Sequence, residues 1–160
     1  MDIRVGIGYD VHQLQEGYVF TLGGIVLNHS KGVVGHSDAD VLIHAICDAL
    51  LGAANLGDIG THFPDNDAAY KGIDSKILLA DVVQLINDKG YKISNIDSTV
   101  CLQLPKIKPH IPLMRSTIAK VMQLDESRVS IKATTTEKLG FVGREEGVSC
   151  YATALVIKKL

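Results

Sequence analysis

Asp10-Val11-His12, with His44 further along in an otherwise apolar helical stretch, carries the residue types of a three-ligand metal site. On an extended strand, side chains two apart share a face, so Asp10 and His12 can converge on one ion while Val11 points the other way. One carboxylate and two imidazoles suit zinc. Three protein ligands leave a coordination position open, which is the arrangement of catalytic rather than structural zinc. Spacing alone leaves a second reading open, in which Asp10 caps a turn and His12 and His44 are ordinary polar residues, one of them hydrogen-bonded in the core.

Three further segments have chemistry-bearing side chains. Gly35-His36-Ser37-Asp38-Ala39-Asp40 enters a helix, where free backbone N–H groups and the dipole favour an anion, and His44 lies two turns down the same helix. A simple capping segment is the competing reading. Residues 57–67 form a loop with Asp58, Asp65 and Asp67, whose carboxylates accept from hydroxyls, so a sugar or polyol would suit it as well as plain solvent. Lys132-Ala133-Thr134-Thr135-Thr136-Glu137 leaves a strand through three threonines into a carboxylate. That sequence matches a divalent ion carrying phosphate oxygens, with Glu137 as ligand and Thr135 as donor, or else threonines finishing a strand before a turn capped by Glu137. Neither a P-loop nor a dinucleotide fingerprint is present.

The elements that must position these residues follow from periodicity. Residues 3–14 and 18–22, around Glu16-Gly17, suggest a hairpin that places Asp10 and His12 on its first strand. The run 39–54 has helical composition with Ser37 or Asp38 as N-cap, and puts His44 and Asp48 four apart on one face. A second helix spans 75–88 after Asp74. A strand at 96–104, a turn at Pro105-Lys106, a helix at 111–123 and a strand at 128–133 follow, and 148–157 reads as the longest strand. The expectation is an α+β fold: one mixed sheet with helices on one face. Ile157, Leu155, Tyr151, Val100 and Leu102 are then expected on the uncovered face, and self-association is the economical way to cover them.

With 160 residues, 46% of them hydrophobic, the chain is the size of one domain with a substantial core. Its net charge is −2 and its Lys and Arg are scattered, so no basic face is offered to nucleic acid or anionic lipid, and any anionic ligand must be bound locally. Three widely spaced cysteines in apolar contexts point to reduced thiols and a cytoplasmic compartment. The absence of a basic-then-apolar start and of a long apolar run suggests a soluble, unprocessed chain.

Taken in order, Gly-Tyr-Asp-Val-His, Gly-His-Ser-Asp-Ala-Asp-Val-Leu-Ile-His-Ala, Leu-Gly-Asp-Ile-Gly, Phe-Pro-Asp, Pro-Lys-Ile-Lys-Pro-His-Ile and Lys-Ala-Thr-Thr-Thr-Glu-Lys-Leu-Gly-Phe-Val-Gly-Arg resemble the 2-C-methyl-D-erythritol 2,4-cyclodiphosphate synthase family over essentially the whole chain. The resemblance implies a homotrimer of non-mevalonate isoprenoid biosynthesis with sites between adjacent subunits. It implies conversion of a cytidine-diphospho-methylerythritol 2-phosphate to the cyclic diphosphate and CMP. Asp10, His12 and His44 would hold zinc, and Glu137 a magnesium or manganese ion on the diphosphate. His36 and Thr135 would steady the transition state, with Ser37 on the phosphorylated polyol and Thr136 beside Thr135. Asp58, Ile59, Gly60, Phe63 and Asp65 would line the pocket for ribose and methylerythritol, and residues 102–108, including Leu102 and Lys106, with Ala133 and Thr134, would bind cytosine. Phe141 and Arg144 would approach an axial cavity for an isoprenoid diphosphate. Leu102 and Leu104 depart from the small residues often found around Gln103 in the family, whereas the metal and phosphate positions do not depart.

The implied reaction fits the residue chemistry. Its nucleophile is already an anionic phosphate, so the barrier lies in bringing two anionic groups into line, and cations rather than a strong base must lower it. A divalent ion on one carboxylate and two neutral imidazoles keeps about one positive charge, which lets an acidic chain hold a polyanion without a basic surface. Two other readings compete: a different metal-dependent phosphoryl-transfer enzyme, and a non-catalytic trimeric module that binds isoprenoid diphosphates through Arg144.

Overall fold

Alternation along the first strand sets the architecture. In the computed structural model, which describes residues 2–64 and 66–159, strand β1 (Ile3–Glu16) turns Gly6, Gly8, Asp10 and His12 inward and leaves Ile3, Val5, Ile7, Tyr9 and Val11 exposed on the other side. The chain continues through β2 (Phe20–Leu22), β3 (Ile25–Leu27), β4 (Lys31–Val34), α1 (Val41–Ala53), α2 (Ile59–His62) and α3 (Ser75–Asp88). It then runs through β5 (Tyr91–Cys101), α4 (Ile111–Met122), β6 (Val129–Thr134), α5 (Gly140–Gly143) and β7 (Gly147–Lys158). Five strands form a sheet in the order β4-β1-β7-β5-β6, antiparallel except for the parallel β5–β6 pair, and β2 and β3 form a separate two-stranded ribbon.

Helix α1 lies across the inner face of β1 and β7 and is itself covered by α3, so nearly all its residues are buried. Glycine makes that approach possible. A Cβ on Gly6 would stand 1.9 Å from the Ala49 carbonyl oxygen, and one on Gly8 would stand 2.0 Å from that of Ala45. Small residues on both partners therefore bring helix and strand backbones into direct contact. Just beyond the two glycines, the same strand face presents Asp10 and His12 toward His44.

Several sequence expectations hold, among them the mixed sheet, the helical layer on one face, and α3 with Asp74 as its N-cap accepting from Lys76 N–H at 2.9 Å. Others are corrected. Residues 18–22 do not pair back onto β1; β2 pairs with β3, while β1 pairs with β4 and β7. Helix α1 starts at Val41 and its N-cap is Asp40, because Ala39 takes a left-handed conformation (φ 56°) that the helix cannot pass through. The strand expected at 96–104 begins earlier, at Tyr91, where a bulge between Ile93 and Asn95 had hidden the alternation. β7 is shorter than β1, at 12 against 14 residues. Val100 and Leu102 lie in the core, since Val100 pairs with inward-facing Cys150 and so shares its face. Tyr151, Leu155 and Ile157 lie on the uncovered face as expected, where they pair with the odd residues Tyr9, Val5 and Ile3 of β1, and the ring of Tyr151 packs 4.8 Å from that of Tyr9. Among the described residues, no helix is long and apolar enough to cross a membrane.

Candidate metal centre

Three donor atoms converge at the end of the glycine seam. Asp10 Oδ2 lies 3.0 Å from His12 Nε2 and 3.1 Å from His44 Nδ1, and the two imidazole nitrogens are 3.2 Å apart. A tetrahedral ion with bonds of 2.0–2.1 Å separates its ligands by about 3.3 Å, so the triangle needs to open by only tenths of an ångström to hold zinc. It is the one cluster of three or more such ligands among the described residues.

Each ring is held from behind. His12 Nδ1 donates to the Val34 carbonyl at 3.0 Å, which leaves Nε2 for the site. His44 presents Nδ1, and its Nε2 lies 2.8 Å from Ser75 Oγ and 3.1 Å from Ser37 Oγ. Opposite ring nitrogens thus face one point, and each ring's other nitrogen has a protein partner.

Burial opposes the charge on Asp10, but hydrogen bonds from His12 and His44 outweigh it and hold the carboxyl well below the usual range. Burial also opposes a charge on His12, yet the hydrogen bond to Asp10 prevails and raises its pKa. The triangle therefore favours positive charge among its three donors. Desolvation raises the pKa of Asp48, partly offset by the Ile59 N–H that its carboxylate accepts at 2.8 Å.

The triangle forms the floor of a cavity of about 280 Å³. Of the residues singled out in the sequence, Asp10, His12, His36, Ser37, His44, Ile59, Gly60 and Phe63 line it. A second, smaller cavity of about 140 Å³ gathers Leu102, Lys106, Ala133, Thr134 and Thr135 with Pro105, Ile107 and Lys108. Thr136, Glu137, Phe141 and Arg144 line neither cavity. Glu137 is exposed, in a left-handed conformation (φ 53°), and accepts from Thr135 Oγ1 at 3.2 Å rather than capping a turn. Thr136 donates to Leu139 O, and Arg144 makes a paired contact to Glu146 with both distances 3.0 Å. Asp58 caps α2 by accepting from Thr61 N and Oγ1, both at 2.8 Å, and does not line the cavity. Asp65 lies outside the described residues.

The proposed anion seat at the start of α1 is also corrected. The buried Asp40 carboxylate occupies that helix end, accepting from Ile43 N at 3.1 Å, Gly23 N at 2.9 Å and Gly24 N at 2.6 Å. His44 sits one turn into α1, not two, and its own N–H bonds to the Asp40 carbonyl. His36 and Ser37 reach the cavity through their side chains instead. Sequence reasoning missed Tyr70, Ile73 and Leu78 in the wall, and it placed Asp48 beside His44 without assigning it a part. Ser75, behind His44, was missed as well, with only the helix-start pattern at Asp74-Ser75 hinting at it, and Asp38 was read as a candidate N-cap and not as the partner of Ser75.

Residues 3–157 match the YgbB family model. The chain is 65% identical over 158 residues to a Bacteroides thetaiotaomicron protein named 2-C-methyl-D-erythritol 2,4-cyclodiphosphate synthase, covering 99% of each. It is 63% identical over 154 residues to a Porphyromonas gingivalis protein of the same name, covering 96% of this chain and 95% of that one. Among solved structures, it resembles the CDP complex of IspF from Plasmodium falciparum with a TM-score of 0.87 at 40% identity, covering 99% of this chain and 97% of that one. It also superposes on part of the bifunctional IspDF from Campylobacter jejuni with a TM-score of 0.94 at 42% identity, covering 99% of this chain but 43% of that longer one.

Proposed function

The chain belongs to the YgbB family, and from that premise we propose that it converts 4-diphosphocytidyl-2-C-methyl-D-erythritol 2-phosphate to 2-C-methyl-D-erythritol 2,4-cyclodiphosphate and CMP, a lyase reaction of isoprenoid precursor biosynthesis. The observation that carries this reading is the Asp10–His12–His44 triangle at the floor of a cavity flanked by His36 and Ser37. An oxygen of the 2-phosphate forms a bond to the β-phosphorus, and the bond from that phosphorus to the oxygen bridging to CMP breaks, with no water consumed. Asp10, His12 and His44 would hold zinc, and Glu137 magnesium or manganese. Divalent ions so placed supply charge neutralisation at the diphosphate.

The chain's own groups orient the reactants. Ser37 Oγ accepts from Ala39 N at 3.2 Å and lies 3.1 Å from His44 Nε2, and when that nitrogen carries a proton the Ser37 hydrogen is free for a phosphate oxygen in the cavity. His36 adds a donor beside it, and Thr135 another on the side of Glu137. Ile59, Gly60 and Phe63 line the cavity and would wall in methylerythritol, and the family resemblance gives Asp58 and Asp65 to the hydroxyls of the ribose and methylerythritol. Leu102, Lys106, Ala133 and Thr134 would hold cytosine.

In one chain the phosphate-side and cytosine-side residues line different cavities. This separation supports a homotrimer in which the sheets' apolar faces pack around the threefold axis and each site takes its two halves from neighbouring copies. Phe141 and Arg144 would then face an axial cavity suited to an isoprenoid diphosphate, and residues 1–160 would act as one synthase domain. Incubation with the cytidine diphospho substrate, zinc and magnesium, followed by 31P NMR, tests the reading. Cyclic diphosphate with equimolar CMP is expected; a linear phosphate product, or no turnover, would overturn it.

A further inference from the structure

We infer that Ser75 and Asp38 are positioning residues for the metal centre, forming a relay that takes the Nε2 proton of His44 and so directs Nδ1 at the ion; this rests on the metal reading above. Ser75 is the first residue of α3 and is fully buried. Its Oγ lies 2.8 Å from His44 Nε2 and donates a hydrogen bond to Asp38 Oδ1. The direction of that chain is forced. Asp38 also accepts from Ser75 N at 3.0 Å and Asp40 N at 3.2 Å, and a carboxylate in that role accepts only. The single hydroxyl hydrogen of Ser75 must go to Asp38, so the Ser75 oxygen is left as an acceptor for His44 Nε2–H. With an ion between the three ligands, the ring then carries its proton on the far side from Asp10 and His12, and its Nδ1 lone pair is directed at the ion.

The two imidazoles of the site are therefore oriented by different means. His12 leans on a backbone carbonyl, which no substitution removes. His44 leans on side chains brought together from two elements, since Asp38 belongs to the segment entering α1 and Ser75 opens α3. With Ser75 as the acceptor for His44, the Ser37 hydroxyl keeps its hydrogen for the cavity. One relay thus serves both the ion and the anion beside it.

The test is zinc affinity, measured by chelator competition at a temperature where circular dichroism shows every variant folded. In S75A the affinity is expected to fall about 10–100-fold, the usual cost of losing a group behind a metal ligand. The hydrogen-bonded Nε2–H resonance of His44, expected in the zinc-loaded wild type, is expected to be absent. Should S75A fail to fold, S75C keeps the volume but replaces the acceptor with a poor one, and carries the same expectation. Unchanged affinity with the Nε2–H signal retained in either folded variant would overturn the relay while leaving the metal site standing. A wild-type chain that takes up no zinc would overturn both. A purely structural role for Ser75 would lower the melting temperature without moving zinc affinity in the folded protein, and that result also refutes the inference.

Discussion

Gly8→Ala is the sharpest probe of how the fold builds the metal centre. The new Cβ would lie 2.0 Å from Ala45 O and 2.8 Å from Ala49 N, both backbone atoms that cannot rotate away. Real Cβ contacts essentially never fall below 3.0 Å and ordinary contact begins at 3.4 Å, so α1 must withdraw from β1 by about 1.0–1.4 Å. His44 precedes Ala45 and moves with it. Its Nδ1, now 3.1 Å from Asp10 Oδ2 and 3.2 Å from His12 Nε2, would end about 4 Å from both, beyond what metal–ligand distances, fixed to about 0.2 Å, can bridge. Zinc affinity is expected to fall by about 100-fold or more, since a ligand and not merely its support is displaced. Overpacking is expected to cost about 1–3 kcal/mol. That corresponds to roughly 3–10 °C in melting temperature for a chain of this size. Thermal denaturation with excess chelator isolates the packing cost, and chelator competition isolates the site. Gly52→Ala is the matched control: its Cβ would meet only Ile7 O at 3.9 Å, within helix α1, so a gain of about 0.5–1 kcal/mol with zinc binding unchanged is expected. If Gly8→Ala binds zinc as tightly as wild type and melts at the same temperature, the account of α1 seated on a glycine seam is wrong.

Three other outcomes are expected. Glu137→Gln should raise the magnesium or manganese requirement and slow turnover at unchanged zinc content, because a hard cation suffers most from the loss of carboxylate charge; loss of zinc instead would mean the two ion sites had been exchanged. In metal-free protein, His12, raised in the fold, adds stability that is complete below its ordinary value of 6.5 and lost as pH rises through its folded pKa, while Asp10, depressed, adds stability above 3.8 that is lost as pH falls through its folded pKa. The metal-free melting temperature should therefore be highest between 3.8 and 6.5 and decline as pH rises through the folded pKa of His12, where zinc meets less competition from a proton; a zinc-induced increment that does not grow as pH rises above 6.5 would contradict this. Mixing His12→Ala with Lys106→Ala after subunit exchange should restore part of the activity, and no recovery despite proven exchange would sink the shared-site arrangement.

What the sequence revealed and what it hid have physical causes. Asp10 and His12 were legible because alternation on a strand depends on nothing beyond the strand itself. Helix α3 was legible because Asp74 and the 3.6-residue period that follows are local signals. The partner of β1 was not, since residues 18–22 offer a plausible hairpin and only tertiary packing, with α1 pressed on Gly6 and Gly8, sends the chain to β4 and β7 instead. The start of α1 was displaced by Ala39, whose left-handed backbone no propensity suggests. Ser75 and Asp38 stand 37 positions apart, and a hydrogen-bond chain closed across that distance leaves no periodic trace.

Strand β1 interleaves two texts in one stretch of chain. Its even letters, Gly6, Gly8, Asp10 and His12, spell the helix seat and the ligands; its odd letters, Ile3, Val5, Ile7, Tyr9 and Val11, spell an apolar surface. A substitution edits one text and leaves the other readable. A one-residue insertion or deletion near the start of the strand is different, because it moves every later side chain to the opposite face and would exchange ligands for apolar residues in a single step. Variation here can proceed letter by letter, but the spacing from Gly6 to His12 is a frame that cannot shift.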